Sequence, residues 1–267
     1  MMKKNVTIPE LLQMKREGHR IAVLTAYDYP TARLLDGAGV DVLLVGDSVG
    51  VVVAGHENTL PVTMEELLYH VKAVVRAKPK ALVVADMPFM SCQAGEAEAL
   101  KNCGRMLQEG GAQAVKIEGG VNMAPIIRSV TGMDIPVMGH VGLTPQSVHR
   151  MGGYRVQGRK DQAERIVEDA LAVQEAGAFA VVLEGIPAKL AARITDMLEI
   201  PTIGIGAGPY CSGQVLVIHD ILGLCEKYSP KFVKRYADLS PLITEAARQY
   251  VSDVKDGIFP TEEHSFT

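Results

Sequence analysis

Eight short apolar runs recur along the chain, and most are separated by segments whose apolar residues have helical spacing. Runs rich in Val, Ile and Leu, without regular polar alternation, are typical of strands buried on both faces of a parallel sheet. We place the strands at 21–28, 41–48, 81–86, 114–118, 136–140, 180–184, 201–206 and 215–220. Strands that alternate with helices in this way predict an α/β fold, a (β/α)₈ TIM barrel in a single domain.

Residue pairs that cap helices mark where several helices begin. Thr7 with Glu10, and Thr63 with Glu66, have the spacing of a capping box, in which each side chain bonds to the other residue's backbone N–H. The first pair predicts an N-terminal capping helix that ends near Gly18, because glycine favours the left-handed conformation that closes a helix. Further helices are predicted to begin at Pro30 and at Ser240–Pro241, and to span 94–109 and 160–176.

The connection between the last two strands is the weak point of the barrel prediction. The segment 207–214 is too short for a full crossover helix between parallel strands. A doubly wound open sheet therefore stays open as an alternative, although eight strands fit the barrel better. We expect residues 1–267 to form one barrel domain that ends in a polar C-terminal tail at about 257–267.

Length, charge and cysteine content exclude several classes of protein. The 267 residues carry a formal net charge of −4, which gives no electrostatic footprint for nucleic acid. No apolar run approaches the ~18 residues of a transmembrane helix, and polar residues from Thr7 onwards stand where a signal peptide needs an apolar region. The four cysteines lack C-x-x-C pairs and zinc-like spacing with histidine, so we expect free thiols in a cytoplasmic protein.

The fourth predicted strand carries two charges inside an apolar run. Lys116 and Glu118 alternate with Val115 and Ile117, and since side chains alternate across a strand, the two charged residues share one face. Burying a charge is costly unless it is paired or bound to a ligand. A structural Lys–Glu pair is one interpretation, and a polar functional site on that face is the other.

Polar side chains recur where the predicted strands end, which in barrels is the edge that carries the active site. They are Asp47 and Ser48, Asp86, Lys116 with Glu118, His140, and Glu184. Each acid alone could be a cap or turn residue. Four carboxylates brought together need a cation, and oxygen ligands favour a hard one such as Mg²⁺. Lys116 could offset part of the charge and bind an anionic substrate.

Nine motifs in order along the chain carry a family resemblance. They are GDSVG (46–50), GH (55–56), TLPVT (59–63), ADMPFM (85–90), VKIEGG (115–120), GHVGLTPQ (139–146), GGYRVQGR (152–159), IGIGAG (203–208) and GQVLV (213–217). In this order, from about 7 to 239, they resemble the ketopantoate hydroxymethyltransferases (3-methyl-2-oxobutanoate hydroxymethyltransferases). The chain departs from that family at Ser212, where an Asp usually precedes Gly213 and Gln214.

The resemblance implies a (β/α)₈ barrel that transfers a hydroxymethyl unit from 5,10-methylenetetrahydrofolate to 3-methyl-2-oxobutanoate. The product is 2-dehydropantoate (ketopantoate), made through a Mg²⁺-stabilised enolate for pantothenate and coenzyme A synthesis. Carried over by position, Asp47 and Asp86 are direct Mg²⁺ ligands at the substrate site, Glu118 is a ligand through water, Ser48 and Lys116 are substrate contacts, and Glu184 is the general base. The resemblance also implies a large homo-oligomer, a decamer, and we expect neither a nucleic-acid nor a membrane partner.

Two other functions stay open. A Mg²⁺-dependent C–C lyase or mutase of the phosphoenolpyruvate/isocitrate lyase type also uses acids on barrel strand ends, although its Lys-Lys-Cys-Gly-His loop is absent here. A non-catalytic keto-acid-binding protein would not need Glu184 beside the metal site. His56 and His140 could each contact substrate or be structural. Finally, 204–208 lacks the G-x-G-x-x-G spacing of a nucleotide loop, which favours a tight turn.

Overall fold

The computed structural model describes residues 5–225 and 230–266, which fall into two compact units, 1–217 and 218–267. The first unit contains eight parallel strands in a closed barrel, in which each strand pairs with the next and the last with the first. The strands are β1 (Ile21–Thr25), β2 (Val42–Val45), β3 (Leu82–Asp86), β4 (Ala114–Glu118), β5 (Val137–Gly142), β6 (Ala180–Glu184), β7 (Thr202–Ile205) and β8 (Gly213–Leu216). The barrel prediction is confirmed, and the open sheet is wrong.

Helices follow most of the strands, and capping boxes start two of them as predicted. They are α1 (Ile8–Glu17), α2 (Tyr29–Ala38), α3 (Val49–Val52), α4 (Met64–Val75), α5 (Glu96–Gln108), α6 (Ala124–Thr131), α7 (Val148–Met151), α8 (Ala163–Glu175), α9 (Ala188–Met197), α10 (Ile218–Ile221) and α11 (Leu239–Lys255). The backbone N–H of Thr7 donates to Glu10 at 2.8 Å, and α1 ends at Gly18, whose φ is 72°. The backbone N–H of Thr63 donates to Glu66 at 2.8 Å. No helix in the described ranges is long and apolar enough to cross a membrane.

Several predicted boundaries are wrong. The first and second strands end at Thr25 and Val45, three residues before the predicted ends at 28 and 48. The eighth strand begins at Gly213 and ends at Leu216, and 218–221 forms α10, because a short apolar run does not by itself distinguish a strand from a helix. A side chain at Gly213 would place its Cβ 2.4 Å from the carbonyl oxygen of Ile21, so glycine permits the close pairing of β8 with β1. The tail helix α11 has its N-cap at Asp238 instead of Ser240; helix ends shift by one or two residues where no side-chain cap fixes them.

The remaining tail and domain predictions have partial outcomes. Residues 257–266 of the predicted polar tail lie in the second unit and contain one 3₁₀ turn, Glu262–His264, whereas Thr267 lies outside the described residues. That 1–267 form one domain stays a prediction. The four cysteines, which all lie within the described ranges, are free thiols as expected.

The barrel interior changes character from one end to the other. Alternate residues of the strands, together with Val6 and Leu11 at the N-terminus, form one apolar cluster that closes the amino-terminal end. Further along the same strands, the inward positions become polar. These positions hold Asp86, Lys116, Glu118, His140 and Glu184. The outward-facing Val115 and Ile117 are buried, so β4 has one apolar and one charged face, as its alternation predicts.

Candidate active site

A buried lysine stands at the centre of the polar end of the barrel. The Nζ atom of Lys116 lies 2.9 Å from Oδ1 of Asp86 and 3.7 Å from Oε1 of Glu118. Burial alone would lower the pKa of Lys116, but the carboxylates of Asp86, Glu118 and Asp47 outweigh burial and raise this pKa. The side chain is therefore a buried ammonium group within a carboxylate cluster, and its closest acid is on the neighbouring strand.

Asp47 and Asp86 meet at the ends of β2 and β3. Oδ2 of Asp86 accepts a hydrogen bond from the backbone N–H of Asp47 at 3.2 Å. Burial raises the pKa of Asp47, and the nearby carboxylates of Asp86 and Glu118 raise it further; burial also raises the pKa of Asp86. Acids with this environment favour a cation between them.

Glu118 has one carboxylate oxygen engaged and one orphaned. Its Oε2 accepts a hydrogen bond from the backbone N–H of Gln146 at 3.1 Å, whereas its buried Oε1 has no hydrogen-bond partner among the described residues. Burial would raise the pKa of Glu118, but His140 and Lys116 outweigh it and lower this pKa. Oε1 of Glu118 lies within ion-pair distance of Lys116 and His140 but makes no hydrogen bond to either side chain. A buried, ionised oxygen without a hydrogen bond is typical of a site that takes a ligand or a bound water.

The donor set fits Mg²⁺ with few protein ligands. Within the described ranges, no three His, Cys, Asp or Glu side chains converge closely enough to hold a metal by themselves. Mg²⁺ is usually held by one or two carboxylates, with water and substrate oxygens completing the shell. The paired acids Asp47 and Asp86, together with the orphaned oxygen of Glu118, match that pattern.

Ser48 lies beside this cluster and is held by a tyrosine. Its Oγ atom is 2.8 Å from the hydroxyl of Tyr27, a buried side chain that follows β1. A Cβ on Gly46 would lie 2.9 Å from Oγ of Ser48 and 3.8 Å from Oδ2 of Asp86. The glycine therefore allows the serine hydroxyl and the carboxylate to approach the same backbone position.

Glu184 is separated from the acids Asp47, Asp86 and Glu118 by the side chain of His140. Its Oε2 lies 3.1 Å from Nε2 of His140, whose Nδ1 lies 3.4 Å from Oε1 of Glu118. Burial and Lys116 lower the pKa of His140, but Glu118 and Glu184 outweigh them and raise it to about 9. The Glu184 side chain is 15% exposed against 2% for Asp86, so solvent or substrate can reach it. Helix α9 has its N-cap at Pro187, so Glu184 is not a helix cap.

Gln146 is the residue that sequence reasoning missed, except as part of a motif. Its Nε2 donates to Oδ2 of Asp47 and to the carbonyl oxygen of Met87, both at 2.9 Å, while its backbone N–H bonds to Glu118. Gln146 therefore connects Asp47, which follows β2, with Glu118, the last residue of β4. The sequence signal was the preceding Thr144–Pro145, which starts a 3₁₀ turn and leaves a backbone N–H free to donate.

Three other sequence features lie outside the acid cluster. His56 lies in the turn after α3, where its backbone N–H donates to the carbonyl oxygen of Gly50 at 2.8 Å. Residues 204–205 of the 204–208 motif end β7, and the chain then bends at Gly206, whose φ is 62°. A Cβ on Gly208 would lie 2.4 Å from Cβ of Ala188, so the glycine permits a close approach to α9. Ser212 precedes β8 at the amino-terminal end of the barrel, where its N–H donates to Oγ1 of Thr202 at 3.1 Å. The change from Asp at this position is therefore remote from the carboxyl-end acids.

Comparison with known proteins gives one family and one fold. The sequence profile of the ketopantoate hydroxymethyltransferase family matches residues 5–262. The chain is 86% identical over 266 residues to the 3-methyl-2-oxobutanoate hydroxymethyltransferase of Trichlorobacter lovleyi, covering all of both chains. It is 72% identical over 265 residues to that of Pelobacter propionicus, covering 99% of this chain and 98% of the relative.

Solved structures with a similar fold are much more distant in sequence. A phosphonopyruvate hydrolase complex with oxalate and Mg²⁺ superposes with a TM-score of 0.62 at 13% identity, covering 96% of this chain and 92% of that chain. A 2,3-dimethylmalate lyase of the PEP mutase/isocitrate lyase superfamily gives 0.63 at 16% identity, covering 100% and 90%. At such low identity the likeness shows a shared fold.

Proposed function

The chain belongs to the ketopantoate hydroxymethyltransferase family, and on that premise we propose that it transfers a hydroxymethyl unit from 5,10-methylenetetrahydrofolate to 3-methyl-2-oxobutanoate. The product is 2-dehydropantoate, a precursor in pantothenate and coenzyme A synthesis. One observation carries the proposal. The partly exposed carboxylate of Glu184 contacts His140, and His140 in turn contacts a buried cluster of acids around Lys116.

Asp47 and Asp86 would hold Mg²⁺ directly, and Glu118 would hold it through water. This assignment is supported by the raised pKa values of both aspartates, which burial causes, and by the orphaned oxygen of Glu118. When bound, the ion supplies positive charge next to the keto oxygen, where negative charge develops during the reaction.

Lys116 and Ser48 bind and orient the keto acid. The substrate carries one carboxylate, and the buried Lys116 ammonium group is a cation of the site that can pair with it. The Ser48 hydroxyl is fixed by Tyr27 at 2.8 Å, so it can donate or accept a hydrogen bond without first being ordered.

Glu184 acts as the general base. It takes the proton from C3 of the keto acid, and the electron pair left at C3 then forms the new bond to the one-carbon unit. The two C–N bonds that hold the one-carbon unit to the folate break, and the two nitrogens take up the protons of one water as tetrahydrofolate leaves. The oxygen of that water becomes the hydroxyl oxygen of the product, which receives the proton held by Glu184. His140, within ion-pair distance of Glu184 at 3.1 Å, holds the carboxylate in place and shields it from the other acids.

The test is exchange of the C3 proton in D₂O, followed by proton NMR with Mg²⁺ and keto acid but without folate. Wild-type protein should exchange this proton, and Glu184→Gln should slow exchange by roughly 10²–10⁴-fold, the usual contribution of a positioned base. Keto-acid affinity and the melting temperature should be retained. Exchange at the wild-type rate in Glu184→Gln would contradict the assignment.

Product analysis tests the alternatives. A lyase or mutase of the phosphoenolpyruvate/isocitrate lyase type would cleave or rearrange its substrate without folate, and a binding protein would give no product.

We further propose a cytoplasmic homo-oligomer, a decamer by resemblance to the family. Light scattering of the purified chain measures this assembly directly.

A further inference from the structure

A cavity of about 530 Å³ opens beside the acid cluster in the first unit. Its floor includes Glu118 and Gln146, and its walls come from the loop after β4, the end of β5 and the segment that joins α7 to α8. A five-carbon keto acid fills only a small part of such a space, whereas cavities of ~300–1,000 Å³ bind ligands the size of a drug or cofactor.

Three arginines line this cavity without carboxylate partners. They are Arg150, Arg155 and Arg165. None of them forms an ion pair with a residue in the ranges 5–225 and 230–266. Some guanidinium groups elsewhere on the surface are paired with carboxylates, as Arg193 is with Glu164 at 2.6 Å. Three unpaired cations around one opening give it a strong preference for anions.

The two acids in the cavity lining do not neutralise these arginines. Oδ1 of Asp169 accepts a hydrogen bond from the backbone N–H of Val121 at 2.9 Å, and a Cβ on Gly120 would lie 2.0 Å from that oxygen. Asp169 is therefore packed against the loop after β4 and fixes this wall. Glu118 faces the buried Lys116 and His140. The cavity therefore favours anions, because its arginines are not neutralised by the two acids in the lining.

Resting on the proposed function, we propose that this cavity binds the folate co-substrate, with the guanidinium groups of Arg150, Arg155 and Arg165 receiving the carboxylates of its glutamyl tail. Arginine pairs with carboxylates through two parallel hydrogen bonds, which gives geometric selectivity as well as charge. The arginines are exposed, whereas Glu118 is buried at the floor. The one-carbon end of the folate therefore points inward to the keto acid, and the anionic tail points outward.

An aromatic side chain in the lining also fits a ligand with planar rings. Phe89, on the loop after β3, lines the cavity and is 40% exposed. Large apolar side chains are usually buried, and an exposed aromatic ring at the edge of a cavity offers a flat surface for a planar ring system. In a folate the p-aminobenzoyl ring lies between the one-carbon unit and the glutamyl tail, and the pterin ring lies on the other side of that unit, so Phe89 offers a surface on which either ring can stack.

The test compares two co-substrates on the full-length protein: 5,10-methylenetetrahydrofolate and the corresponding tetrahydropteroate, which lacks the glutamate. Wild-type protein should have a KM for the pteroate at least ~10-fold above that for the folate. In the triple variant Arg150→Gln/Arg155→Gln/Arg165→Gln, the folate KM should rise ~10- to 100-fold and the two KM values should become equal. Each single variant should move the ratio part of the way, which keeps the test valid if the triple variant folds poorly.

Two controls separate this inference from the proposed function. Arg128→Gln, at an exposed arginine of α6 that does not line the cavity, should keep the wild-type ratio. C3 proton exchange without folate should be unchanged in the cavity variants, because it needs the keto acid alone. If wild-type protein makes no 2-dehydropantoate from either co-substrate, the proposed function fails. If it is active but the arginine variants keep the wild-type KM ratio, the cavity assignment is overturned and the function stands.

Discussion

The two ends of the barrel are built from the same strands by the same alternation, yet one end is apolar and the other is charged. Val42, Leu82 and Met138 face inward near the amino-terminal end, and Lys116 and His140 face inward near the carboxyl-terminal end. Burying apolar surface stabilises the fold by ~25 cal/mol per Å², whereas burying charges costs free energy that only a partner or ligand recovers. One end therefore supports the fold, and the other holds a site that is incomplete without its ligands.

The largest effect is expected at the apolar end. Met138 is 1% exposed inside the barrel, and Met138→Ala should lower the free energy of unfolding by ~2–5 kcal/mol, because it removes buried contacts and leaves a cavity. Met197→Ala, at a methionine that is 43% exposed, should change stability little. Chemical denaturation measures both. If Met138→Ala left stability unchanged, this end would not be the structural one.

Asp86→Asn should cause the largest loss of ligand binding at the charged end. The amide preserves the shape of the carboxylate but lacks the charge that a hard cation requires. We expect Mg²⁺ affinity, measured by calorimetry with keto acid present, to fall by more than the ~10–100-fold typical of losing an outer-shell partner. Asp134→Asn, on an exposed turn, is the matched control. Unchanged Mg²⁺ binding in Asp86→Asn would show that the metal is held elsewhere.

Lys116→Met tests whether the buried ammonium group binds substrate. The change keeps much of the apolar stem and deletes a charge-assisted contact worth ~1.5–3 kcal/mol, so keto-acid affinity should fall roughly ten- to a hundredfold. Lys101→Met, at an exposed position of α5, should leave the affinity unchanged. A wild-type affinity in Lys116→Met would make Lys116 a structural partner of Asp86, Glu118 and His140 without a role in substrate binding.

Gln146→Leu should weaken Mg²⁺ binding by about tenfold, because the side-chain amide no longer orients Asp47. The backbone N–H to Glu118 remains, so the effect should be smaller than that of Asp86→Asn. Calorimetry measures the affinity, and a melting curve records any general loss of stability. Equal Mg²⁺ affinities in variant and wild type would remove Gln146 from the positioning of the site.

We expect Asp47→Asn to give the smallest change, an increase in the free energy of unfolding of the metal-free protein. Burial, Asp86 and Glu118 raise the pKa of Asp47 in the fold. Its carboxylate therefore destabilises the metal-free protein increasingly as pH rises above the unfolded pKa of ~3.9. The variant should be more stable than wild type by ~1 kcal/mol at neutral pH without Mg²⁺, and should show no gain near pH 3. Denaturation at the two pH values measures this, and a less stable variant at neutral pH would contradict it.

Local sequence patterns by themselves determine where two helices of this protein begin and which side chains share a strand face. The capping boxes at Thr7 and Thr63 satisfy backbone N–H groups within four residues, so they act wherever the helix lies. The alternation along β4 likewise fixes which side chains share a face. The strand count and the positions of the four acids at strand ends followed from the same short-range periodicity.

Tertiary structure decided which of those side chains meet. Strand register places Asp86 opposite Lys116 and Glu118 opposite His140. The acid closest to Lys116 is therefore Asp86 on the neighbouring strand β3, although Glu118 is nearer in sequence. The bond from Gln146 to Asp47 joins residues far apart along the chain. The same holds for the arginine-lined cavity, whose walls come from several loops. Sequence periodicity specifies which face a residue occupies, but contacts between distant segments depend on how the closed barrel brings its strand ends together.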